Sequence, residues 1–230
     1  MRFEVCVESA DGVRAAVAAG ADRVELCADL SVGGVTPSRG TIEAAVSAAG
    51  LLPVHVLIRP RVGDFVYTEA ELAVMVASIG AARRAGAAGL VIGALTTDGQ
   101  VDRPACEALV AVSRPASVTF HRAFDETADP LAALDQLLAL GADRLLTSGR
   151  SSDALAGAGV IAELVRRSAG RLSVMPGGGV TAANAAEIVR RTGARELHFS
   201  ARPHPGDPPQ LVDRIAAIMR SASSPGAAST

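Results

Sequence analysis

Apolar residues along the chain gather into short, nearly unbroken runs, separated by longer Ala- and Leu-rich segments of helical length. The runs fall at 3–7, 23–27, 53–59, 89–93, 117–122, 144–149, 172–177 and 196–201. Most are apolar at successive positions, as expected of parallel strands covered on both faces. The segments between them predict helices near 10–19, 38–49, 68–85, 102–112, 130–140, 152–168, 181–191 and 209–220. Eight strands, each followed by a helix, predict an α/β fold: a (β/α)8 TIM barrel forming one domain over 1–220.

An internal echo supports that count. "GADRVEL" at Gly20, "GAAGLVI" at Gly86, "GADRLLT" at Gly141 and "GARELHF" at Gly193 each put a glycine where a helix should end, just before a strand. They precede every second strand, so the repeat spans two βα units. A doubly wound open sheet, the competing fold, predicts no such regularity.

Composition narrows the classes of function. The net charge is −2 and the 22 basic residues are scattered, with no tryptophan and one tyrosine, which argues against a nucleic-acid surface. The opening "MRFEVCVES" has no signal-peptide anatomy, and the apolar stretches are too short or interrupted to span a bilayer. Three cysteines make no disulfide framework, so a cytoplasmic protein with free thiols is expected. "SASSPGAAST" (221–230) has the small, polar makeup of a disordered tail.

In a closed barrel alternate side chains of each strand face inward, so parity sorts the unusual residues. Glu4, Cys6 and Glu8 share one parity, as do Glu25 and Cys27, and His55, Leu57, Arg59 and Arg61. Thr119 and His121, Thr147, and His198 and Ser200 complete the inward set. Unpaired polar groups inside a barrel are costly, and their concentration toward strand C-termini marks a site at the barrel mouth.

Three features of that mouth carry chemistry. "PGGGV" places Gly177, Gly178 and Gly179 after the seventh strand, where free backbone N–H groups suit an anion. Ser200 and Arg202 end the eighth strand beside it, Arg59 and Arg61 can add charge, and Thr181 is placed to cap the following helix. His121, at the end of the fifth strand, is a candidate acid/base with Glu8 or Glu25 as partner and Arg59 assisting. Cys6 and Cys27 share inward parity on neighbouring strands, and facing thiolates are preferred ligands of Cu(I). Buried unpaired cysteines more often pack as small hydrophobes, and spacing alone favours that plainer reading.

The same residues carry a family resemblance. "EVCVES", "GADRVELC", "GGVTPS", "IRPRVGDFVY", "TFHRAFD", "LTSG", "MPGGGV" and "HFSAR" occur in order from Phe3 to Arg202, and together they resemble the CutC family of copper homeostasis proteins. The resemblance implies a TIM barrel, a cytoplasmic location and copper handling, with Cys6 and Cys27 as Cu(I) ligands. It implies no organic cofactor. Val32 stands where that family usually has Glu, Val62 where it usually has Gly, and Glu8 replaces a common Asp.

Two functions follow as expectations: a Cu(I)-binding protein using Cys6 and Cys27, or an enzyme acting on a small phosphorylated or carboxylated metabolite at the mouth. The expected partners are copper, a small anionic metabolite or both, with neither nucleic acid nor membrane. A homodimer or higher homo-oligomer is also expected.

Overall fold

The computed structural model describes residues 1–203 and 206–223. Eight strands alternate with eight helices: β1 (Arg2–Val7), α1 (Ala10–Ala19), β2 (Arg23–Leu26), α2 (Arg39–Ala49), β3 (Val54–Leu57), α3 (Glu69–Arg84), β4 (Gly89–Ile92) and α4 (Arg103–Ser113). The second half continues with β5 (Ser117–Phe120), α5 (Pro130–Leu140), β6 (Arg144–Thr147), α6 (Ala158–Ser168), β7 (Ser173–Pro176), α7 (Ala185–Thr192), β8 (Glu196–Phe199) and α8 (Leu211–Ser223).

Among the described residues the pairings between these strands are all parallel and run β7-β6-β5-β4-β3-β2-β1-β8. β8 joins β1 in the register Glu4 opposite His198, so the last strand returns to the first. β7 and β8 lie side by side, nearly closing the barrel, with no ladder between them among the described residues. Val5, Val24, Val56, Phe120 and Leu197 form the layer between sheet and helices, buried as their parity predicts, and Leu90 and Leu145 join them there.

Local signals set the boundaries. Ser9, Ser38, Thr68, Asp102 and Asp129 each accept a backbone N–H from the first turn of the helix that follows. Three of the four echo glycines, Gly20, Gly141 and Gly193, are left-handed caps ending α1, α5 and α7. Gly86 stands one residue past the cap of α3.

Two helices begin later than expected. α6 starts at Ala158, because Asp153 Oδ1 takes the N–H groups of Leu155 and Ala156 and holds the preceding segment in a turn. α7 starts at Ala185, not beside Thr181, and its N-cap is Asn184, whose Oδ1 accepts the Thr181 N–H. α8 carries the chain three residues past the boundary expected at 220; residues 224–230 of the expected tail lie outside the described residues. No helix of the described residues is long and apolar enough to cross a membrane.

Candidate functional site

The barrel interior is polar and layered. Near its centre Arg23 donates to Glu4 and, at 2.7 Å, to Glu196, which also receives Arg144 at 3.0 Å. Glu4 and Arg23 are almost fully buried, so neither has water as an alternative partner. Burial alone would raise the Glu4 pKa, but the His198 hydrogen bond and the Arg23 charge outweigh it and hold the carboxyl well below the usual range.

One layer higher the interior gathers imidazole, carboxylate and thiol groups, side chains of the kinds that can ligate a metal. His198 Nδ1 bonds Glu4 at 2.8 Å, and its Nε2 faces Glu25 at 3.6 Å. Burial would lower the His198 pKa, yet the two carboxylates raise it; for Glu25, burial dominates and pushes its carboxyl up. Donor atoms of Cys6, Glu25 and His198 all lie within 4.8 Å of one another. Cys6 Sγ stands 3.6 Å from Cys27 Sγ, and Leu30, Leu57 and Val91 wrap the pair. The Cys27 contact, then burial, then Glu25 raise the Cys6 thiol well above its ordinary value. The shared inward parity of the two cysteines thus becomes a true side-chain contact.

This cluster forms one side of a cavity of about 370 Å³ at the C-terminal mouth of the barrel. Arg59, Phe65 and His121 line the same cavity: Arg59 lies 4.9 Å over the Phe65 ring, and the His121 ring is 5.0 Å from it. Arg59 donates to the carbonyls of Val32, Gly34 and Gly63, which ties two loops together. Gly178, Gly179, Ser200 and Arg202 complete the rim.

Several expected site residues stand elsewhere. Glu8 is exposed outside the cavity, where it accepts the Leu30 N–H. Arg61 is held by Glu71, Asp64 and the Val66 carbonyl, outside the cavity, so it secures the loop before α3. Gly177 packs behind the wall, against Leu146 and His198, and gives its N–H to Thr147 O. Thr147 faces away from the barrel interior and bonds Asp125, while Arg144 and Leu146 of the same strand face inward. No bond joins His121 to Glu8 or Glu25 among the described residues. Val32 and Val62, the loop departures, are exposed and do not line the cavity.

His198 and Arg122 also line the cavity, and the sequence reading gave neither of them a role. Parity placed His198 inward, but its two carboxylate partners come from β1 and β2, which local sequence does not reveal. The chain has no lysine, so it offers no lysine amine for a Schiff base.

Fold and site together define a (β/α)8 barrel protein with a buried thiol, carboxylate and imidazole cluster at its mouth. Residues 1–203 match the CutC family, and the chain belongs to that family. It is 51% identical over 200 residues to the copper homeostasis protein cutC homolog of Homo sapiens, covering 87% of this chain and 73% of that protein. It is 46% identical over 202 residues to the family protein CutC of Pasteurella multocida, covering 88% and 82%. The crystal structure of CutC from Streptococcus agalactiae superposes with a TM-score of 0.83 at 36% identity, covering 87% of this chain and 98% of that one.

Proposed function

We propose that this protein binds Cu(I) at the paired thiols of Cys6 and Cys27 and serves copper homeostasis as an intracellular buffer. The observation that carries this reading is the 3.6 Å approach of the two sulfurs. That separation is shorter than two thiolate–metal bonds of about 2.3 Å each, so both can reach one ion. Relatives that carry a copper homeostasis name support the choice of cargo.

The surrounding groups suit the donor set. Soft thiolates favour Cu(I), and an apolar wrapping by Leu30, Leu57 and Val91 keeps water from competing. Glu4 at Nδ1 fixes the His198 ring so that Nε2 faces the cysteine side, the usual carboxylate–histidine arrangement behind a metal ligand. Without a cation the raised Cys6 pKa keeps that thiol protonated and inert, and binding must release its proton. Free thiols of this kind fit a reducing compartment, the cytoplasm.

Anaerobic Cu(I) titration against a competing chelator tests the reading. Wild type is expected to hold copper tightly, and Cys6→Ser and Cys27→Ser each to lose the tight site while keeping their circular dichroism. His198→Ala is expected to weaken binding by about 10- to 100-fold. Equal affinity in wild type and both serine variants sinks the proposal.

A further inference from the structure

The mouth cavity is far larger than one ion requires. Its volume of about 370 Å³ is that of a pocket for a small organic ligand. The thiols line one part of it, and other parts are built from groups of another character.

Gly178, Gly179 and Val180 follow β7 in succession and all line the cavity. None of their three backbone N–H groups has a hydrogen-bond partner among the described residues. Gly178 and Gly179 take φ of +102° and +66°, and successive N–H groups in such a turn form a concave nest for an anion. The Arg122 guanidinium lies against the nest, since a Cβ placed on Gly178 would meet its Nη1 at 3.3 Å. Arg122 also pairs with Asp125, whose carboxylate is covered by Thr147, Ser148 and the Arg150 N–H. Arg202, exposed on the same rim, makes no ion pair among the described residues.

A separate observation points to a ligand. Arg59 and His121 line the same cavity at 8% and 5% exposure, and Arg59 Nε and His121 Nε2 have no partner. Ala123 donates to His121 Nδ1, so the neutral ring carries its proton on Nε2. Two buried N–H donors without acceptors in one wall are costly unless something else supplies the oxygens.

We propose that the cavity binds a small phosphate monoester. Its phosphoryl group sits on the N–H groups of residues 178–180, with Arg122 and Arg202 balancing its two charges. Three convergent N–H donors match three terminal oxygens, which a carboxylate does not offer. The organic part carries a hydroxyl or carbonyl oxygen, which accepts from Arg59 and His121.

The test titrates the full chain with inorganic phosphate and with glycerol phosphate as a monoester, followed by amide NMR and calorimetry. The Gly178, Gly179 and Val180 amides are expected to shift with both probes, and the His121 Nε2 signal with the monoester, which binds more tightly. Arg202→Gln, at an exposed position that spares the fold, is expected to weaken phosphate by about 10- to 100-fold. Its Cu(I) affinity should match wild type, and Cys6→Ser should bind phosphate as wild type does, so the copper and phosphate readings fail separately. Still amides at millimolar phosphate, or unchanged phosphate affinity in Arg202→Gln, would overturn the proposal.

Discussion

Ala123 gives its N–H to His121 Nδ1 at 3.1 Å, and burial, then the nearby Arg59 charge, press the imidazole pKa down to about 3. In the unfolded chain the same ring titrates near its ordinary 6.5. Between these values the unfolded state binds a proton that the folded state refuses, so stability rises with pH across that window. The contribution is complete above pH 6.5 and is lost as the pH falls toward 3. From pH 7 to pH 5 the loss is about 2 kcal/mol for one such ring. Urea unfolding of wild type and His121→Gln over this range measures it, and the variant is expected to show a slope shallower by about one proton. His55, whose pKa burial lowers to about 4, adds the same trend to both proteins. Parallel curves would mean that His121 is charged in the folded state. Strand parity had already placed His121, Glu25 and both cysteines inside the barrel, because the period of two survives any detail of packing. It erred at β6, where Leu145 and Leu146 are both apolar and give no cue to which face is inward.

The connection from β6 to α6 shows what an element's end contributes to the site. The helical pattern there extends back to 152, but Asp153 diverts it, and the segment folds over the strand end. Gly149 and Gly157 make that fold tight: a Cβ on Gly157 would stand 1.9 Å from Ser148 O, a backbone atom that cannot swing away. Ala154 from this segment donates to Gly178 O at 2.9 Å, so the turn also braces the nest after β7. Gly157→Ala is therefore expected to destabilise by about 1–3 kcal/mol, as overpacking does. It should also move the Gly178 amide resonance. An unchanged melting temperature would show that the segment is looser than this contact implies. Helix existence was legible from the apolar pattern, but these starts depended on turns held by single side chains, Asp153 and Asn184, that periodicity does not register.

Across the whole molecule one chain of charges links the two ends of the barrel. Arg144 and Glu196 sit toward the N-terminal end, Arg23 and Glu4 in the middle, and His198 with Glu25 beneath the mouth. Six side chains from β1, β2, β6 and β8 meet in it, which is why no local stretch of sequence announces it. Arg23 is its hub, and it donates to Glu4, Glu196 and the Met175 sulfur. Burial would lower its pKa, but the two carboxylates raise it, so the guanidinium stays charged. Arg23→Met would leave Glu4 and Glu196 buried with fewer counter-charges, and losing one partner of a buried pair costs about 3–5 kcal/mol. Arg103→Met, which removes an exposed i,i+4 partner of Glu107, is the reference and should cost under about 0.5 kcal/mol. Added salt should shrink the small Arg103 effect and leave the Arg23 effect almost intact, because counterions do not reach the barrel interior. Urea denaturation of both variants at low and high salt makes the comparison. Equal losses for the two would mean that the interior charges only fill space. A large, salt-insensitive loss for Arg23 alone would identify the network as the frame that holds His198 and Glu25 beside Cys6.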